Sequence, residues 1–142
     1  MVGQEPGEED EDQVVPQLAG WIEAVLQDDH IGTLTTLRPD GSPHVVPVRF
    51  TWDGAASVAR VLTVASTRKA RNLLAAPGSR AVVCQPMGFR WVTLEGTGTV
   101  RDEPARVAEG VRRYAARYQQ LPPEPPGRVV LEIDVDRVLA LG

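Results

Sequence analysis

The stretch Ile31-Gly-Thr-Leu-Thr-Thr-Leu-Arg-Pro-Asp-Gly-Ser-Pro-His-Val-Val-Pro-Val48 decides the fold. Ile31 to Leu37 is rich in threonine and aliphatic residues and reads as a strand. Asp40-Gly41 supplies turn chemistry, and the run from Pro43 to Trp52 completes an antiparallel hairpin. Within that run His44, Val46, Val48, Phe50 and Trp52 share one face, and Val45, Pro47, Arg49 and Thr51 share the other. Asp53-Gly54 opens a second turn into a third strand, Val58 to Ala65.

On the amino-terminal side, Leu18, Ile22, Val25 and Leu26 recur at helical spacing, so 17–28 is an expected amphipathic helix. On the other side, 66–76 reads as a short helix capped by Ser66 or Thr67 and stopped by Pro77-Gly78. Arg80 to Gln85 and Arg90 to Arg101 are further strands, and Gly96 and Gly98 suggest a bulge or sharp bend in the second. Val107, Val111, Tyr114 and Tyr118 mark a helix over 104–119. A proline-rich connector, Pro122 to Gly127, leads to a last strand from Arg128 to about Val135. The expectation is a mainly β (α+β) chain: six antiparallel strands curled into a small closed or partly split barrel, with peripheral helices.

The 142 residues suit one domain, and the net charge of −4 is unevenly distributed. Six acids and no base fall in residues 1–12, which leaves 15 bases against 13 acids in the rest. Residues 1–13 are accordingly expected to be a disordered acidic tail and 14–142 the folded domain. A nearly neutral domain does not point to nucleic acid, and no apolar run is long enough for a membrane span. The single cysteine, Cys84, excludes an internal disulfide and fits a cytoplasmic protein; two histidines argue against a metal centre.

Chemistry concentrates in Arg60-Val-Leu-Thr-Val-Ala-Ser-Thr-Arg-Lys-Ala-Arg-Asn72. Here a strand enters a helix whose first turn carries Arg68, Lys69 and Arg71 where the helix dipole favours acids. A bound anion, most simply a phosphate, accounts for that inversion; a solvated basic helix face is the alternative. Pro47 has no N–H for a ladder, so its strand is expected at an edge or bulge, open to a flat heteroaromatic ligand. Trp91 reads either as a stacking surface or as core. His44 reads as a polar contact or as a half-exposed hairpin residue, and Cys84 as a buried, inert thiol.

Taken in order, the Thr33–Val48 hairpin, the Arg60–Asn72 segment and Arg90-Trp-Val-Thr-Leu-Glu-Gly96 resemble the pyridoxamine-phosphate-oxidase-like flavoproteins of the FMN-binding split-barrel type. Within that family the sequence is most similar to the actinobacterial branch that uses the deazaflavin coenzyme F-420, and there to the biliverdin reductases. The resemblance runs from about Leu18 to Leu139. It implies a homodimer with cofactor sites at the subunit interface. Carried over by position, Arg60, Ser66, Arg68, Lys69 and Asn72 would surround the cofactor phosphate. His44, Val46, Pro47 and Val48, with Leu62 and Thr63, would flank the deazaflavin ring, and Gln85 and Trp91 would reach the site from one subunit or the other. Arg49 and Arg90 are candidates for substrate carboxylates.

The implied reaction is hydride transfer from reduced F-420 to a conjugated acceptor such as biliverdin, with no catalytic side chain assigned. The rivals are an F-420 reductase of a quinone or unsaturated lactone, an FMN enzyme of the same fold, and a non-catalytic binder of flavin, deazaflavin or haem.

Overall fold

The computed structural model describes residues 11–13, by their backbone alone, and 18–142. Most of the expected acidic tail lies outside the described residues. Its last three residues, Glu11–Gln13, are described as a strand, β1.

The hairpin forms as its sequence dictates: β2 (Gly32–Leu37) and β3 (Pro43–Val48) pair antiparallel, with Thr33 opposite Pro47 and Thr36 opposite His44. Gly41 takes a positive φ of 87° in the turn, and Asp40 Oδ1 accepts from Ser42 N at 2.9 Å and Ser42 Oγ at 2.7 Å. The expected single strand from Pro43 to Trp52 divides, because β4 (Thr51–Asp53) turns away to pair with β5 (Val58–Val64). β6 (Arg80–Met87) and β7 (Arg90–Arg101) form the next hairpin, and β8 (Arg128–Leu141) runs well past Val135.

Among the described residues the sheet therefore has eight strands, not six, in the order β3-β2-β6-β7-β8-β5-β4, with β1 also on β8. Every pairing is antiparallel. No pairing joins β3 to β4 among the described residues, so the sheet is open and not the closed form of the expected barrel. β3 lies at an end of the sheet, where Pro47 predicts it.

β7 alternates along its length: Val92, Leu94, Gly96 and Gly98 are buried, while Trp91, Thr93, Glu95 and Thr97 face the more open side. Its register with β8 shifts between Glu95 and Gly96, the bulge expected from the glycines. The core gathers Leu34, Phe50, Val61, Val83, Leu94, Leu131 and Ile133 with Ile22 and Leu26 of the α1 region. Helix α1 (Gly20–Val25) is shorter than the expected 17–28. α2 (Arg68–Ala75) seats Leu73 against Gly98, where a Cβ would come within 2.9 Å of the leucine. α3 (Pro104–Tyr118) lies over β5 and β8, with Gly110 close to Val130 and Leu62. No helix among the described residues is long and apolar enough to cross a membrane.

Candidate functional site

The seam left where the sheet fails to close is a cleft of about 420 Å³. Pro47, Val48 and Arg49 contribute from the β3 end, and Val61 to Val64 from β5 near the opposite end. Lys69 enters from α2, Tyr114 from α3, and Pro122, Pro123, Pro125 and Arg128 close one side. The floor is apolar, three cations stand around it, and no acidic residue lines it among the described residues.

The α2 end has the electrostatics of an anion site. Thr67 occupies the N-cap position, but its hydroxyl donates back to the Val64 carbonyl at 2.9 Å and contacts Thr63 Oγ1 at 3.0 Å. The expected Ser66 or Thr67 side-chain cap is therefore absent, and no acid stands in the first turn. The amides of that turn carry partial positive charge with no side chain set against it. Lys69 is partly buried and pairs with no carboxylate within 4 Å among the described residues; burial pushes its ammonium below the usual lysine range.

Arg68 Nη1 donates to Asn72 Oδ1 at 3.4 Å, and Asn72 Nδ2 donates to Thr36 Oγ1 at 3.0 Å. Thr36 stands opposite His44 in the ladder. His44 Nδ1 is buried without a hydrogen-bond partner. Burial first, and then the charges of Arg38, Lys69 and Arg68, push the imidazole below its ordinary value, so it is neutral at pH 7. A neutral imidazole thus lies within electrostatic reach of Lys69 and Arg68, and of these three groups Lys69 lines the cleft.

The sequence-derived residues divide accordingly. Pro47, Val48, Leu62, Thr63 and Lys69 line the cleft together, as does Arg49. His44 and Val46 share the inner side of β3 with Val48, Arg68 adjoins Lys69 on α2, and Ser66 is exposed just before that helix.

Others stand elsewhere. Arg60 is held by Asp53 at 3.1 Å and Glu132 at 3.6 Å, so its charge is consumed by the protein rather than offered to a phosphate. Asn72 is buried as a brace between α2 and β2. Gln85 is fully buried: its amide donates to the Val25 carbonyl at 3.0 Å and its Oε1 accepts from Arg117 at 2.7 Å. It is a structural joint inside the protein. Trp91, the second residue of β7, stands opposite Leu141, and Arg90 lies over the Trp21 ring at 4.5 Å; neither lines the cleft. Cys84 is half-buried rather than buried. Tyr114 and Arg128 line the cleft, yet periodicity marks Tyr114 only as a core-facing helix residue and Arg128 only as a strand start.

Residues 19–142 match the profile of the family described as pyridoxamine 5'-phosphate oxidase, and the chain belongs to that family. It is 44% identical over 116 residues to the F-420H(2)-dependent biliverdin reductase of Mycobacterium tuberculosis (strain CDC 1551 / Oshkosh), covering 82% of each chain. Among solved structures, it resembles an F-420 reductase with a TM-score of 0.65 and 27% identity, over 86% of this chain and 98% of that one. A conserved hypothetical protein of Mycobacterium tuberculosis shares the fold, with a TM-score of 0.72 at 23% identity over 88% and 85% of the two chains.

Proposed function

We propose that this protein is an F-420-dependent reductase of a conjugated acceptor, with biliverdin, reduced to bilirubin, as that acceptor. The observation that carries the reading is Lys69: a partly buried cation beside an uncapped helix start, with no counter-ion and no acid lining its cleft among the described residues. That donor set suits a phosphate ester, and the apolar strip of Pro47, Val48 and Leu62 suits the ring it carries. The relationship to a biliverdin reductase supports the choice of deazaflavin and of acceptor.

When bound, reduced F-420 supplies a hydride to an electron-poor carbon of the acceptor. The chain's own residues bind and orient. Lys69, Arg68 and the first-turn amides of α2 hold the phosphate, with Ser66 at the rim. Pro47, Val48, Leu62 and Thr63 flank the ring and keep water from one side of it. His44, neutral at pH 7, offers a hydrogen bond beside the phosphate group. No side chain on the cleft wall is assigned as the acceptor's proton donor.

The functional unit in this proposal is a homodimer in the cytoplasm. The more open face of the sheet carries Val45, Val82, Cys84, Trp91 and Leu139, a strip suited to cover by a second copy.

The test mixes purified protein with reduced F-420 and biliverdin, and follows oxidation of the cofactor and loss of biliverdin absorbance, with reduced FMN in parallel. Consumption of both with F-420 alone is expected. Turnover only with FMN, or F-420 binding with no acceptor reduced, overturns the reading.

A further inference from the structure

The α3 side of the cleft has a construction of its own. Arg49 Nη1 donates to Tyr114 Oη at 2.6 Å, and the Arg49 guanidinium lies 5.7 Å and 5.0 Å from the centroids of the Tyr114 and Tyr118 rings. Tyr118 is locked in turn: its single hydroxyl proton is shared between the His30 and Phe50 carbonyls, each 2.8 Å from Oη, and Oη accepts from Phe50 N at 3.0 Å. A long, exposed arginine is thereby fixed on an aromatic platform, with most of its fork free and the Tyr114 proton unspent.

Arg128, the first residue of β8 and opposite Val64 in the ladder, lines the same cleft. Its Nη2 is buried with no hydrogen-bond partner. Neither arginine has a carboxylate within 4 Å among the described residues, although Asp102 and Glu124 line a neighbouring cavity that also touches Arg128. A partly desolvated guanidinium left without an acceptor is costly, whereas two planar forks and a phenol facing one space match a carboxylate.

We infer that Arg49, Arg128 and Tyr114 form a carboxylate subsite on the α3 side of the cleft, which anchors a ligand whose other anchor is Lys69. The inference rests on the proposed reductase function for the identity of its ligands, but its geometry is independent of the phosphate end. The carboxylate belongs either to the acceptor, since biliverdin carries two propionates, or to the side chain of the cofactor.

The test titrates wild type, Arg49→Leu, Arg128→Leu and Arg128→Lys with biliverdin, with biliverdin dimethyl ester and separately with F-420, reading tryptophan quenching; thermal melts check that each variant is folded. The expected result is at least tenfold tighter wild-type binding of biliverdin than of its ester, a preference lost in both leucine variants and partly kept by Arg128→Lys. Loss of F-420 affinity instead, in the same two variants, supports the subsite and assigns the carboxylate to the cofactor. Folded variants with unchanged affinity for all three molecules overturn the subsite while leaving the reductase reading standing. Discrimination of biliverdin from its ester by a protein that does not bind F-420 overturns the cofactor assignment instead. A wild type that binds none of the three overturns both.

Discussion

Arg117 Nη2 donates to Gln85 Oε1 at 2.7 Å, and this bond ties the end of α3 to the middle of β6 inside the protein. The same guanidinium donates to the Asp28 carbonyl at 2.7 Å and the Phe50 carbonyl at 2.8 Å, and it stacks on the Phe50 ring at 4.6 Å. All three acceptors are neutral, so the charge is balanced by dipoles and ring faces rather than by an anion, and burial lowers its proton affinity.

Arg117→Met therefore strands three acceptors at once. A loss of about 3–4 kcal/mol is expected, since each bond to a charged donor is worth ~1.5–3 kcal/mol and the three are not additive. Urea unfolding of the variant, with Gln85→Leu and the double variant closing a cycle, measures it. Additive single losses would mean that the two side chains are not coupled.

The phosphate end is separable from the ion pairs behind it. Lys69→Ala is expected to weaken F-420 binding about 10- to 100-fold, the value of one charge-assisted contact at ~1.5–3 kcal/mol, with little change in melting temperature. Arg60→Ala is expected to do the reverse: a loss of about 1–3 kcal/mol of stability, because Asp53 and Glu132 lose a partner, with affinity changed less than twofold. Fluorescence titration and thermal melts of both variants give the two-by-two comparison. Equal loss of affinity in both would return Arg60 to the site.

His44 provides the pH dependence. Its folded value lies below the ordinary 6.5 because of burial and then the neighbouring cations. The folded state thus resists protonation, and the stability His44 contributes is lost as pH falls from 6.5 through the lower folded value. A bound phosphate neutralises the cations and raises the imidazole's proton affinity, so cofactor binding should take up protons and tighten below pH 6.5. Proton NMR of the two histidines, with His44→Asn for assignment, follows the shift with and without F-420. A titration midpoint unmoved by ligand would remove His44 from the phosphate end.

Gly96→Ala tests the bulge. An added Cβ would overlap the Asp134 carbonyl oxygen, a backbone atom that cannot swing aside. Destabilisation of about 2–4 kcal/mol is expected, whereas Gly20→Ala, with nothing within 4 Å of its Cβ, should be neutral or slightly stabilising. Chemical denaturation of the pair decides it.

What the sequence made legible is local. Asp40-Gly41, the Gly96 bulge and the edge position of Pro47 each rest on a backbone property of one residue, and each stands in the structure. The break between β3 and β4 was not legible, because Phe50 and Trp52 continue the alternation of His44, Val46 and Val48 while the chain changes partner strand. At the site, the cations of α2 are visible from helix electrostatics alone. The fate of Arg60 depends on Glu132 and that of Gln85 on Arg117, partners brought together only by the complete fold. Tyr114 was missed because helical spacing identifies an inward face without saying what that face meets, and Arg128 because it reads only as the start of a strand.

Pro43 and Pro47 sit four residues apart on the end strand, in the same phase of its ladder with β2, so their missing donors fall on the same side of the chain. With two of three successive donor positions blank, the outer border of β3 is a poor template for a foreign strand. Accidental edge-to-edge polymerisation is discouraged there without any charged guard residue. The same blank border leaves the mouth of the seam unobstructed, and it directs any second copy of the chain toward the broad side of the sheet.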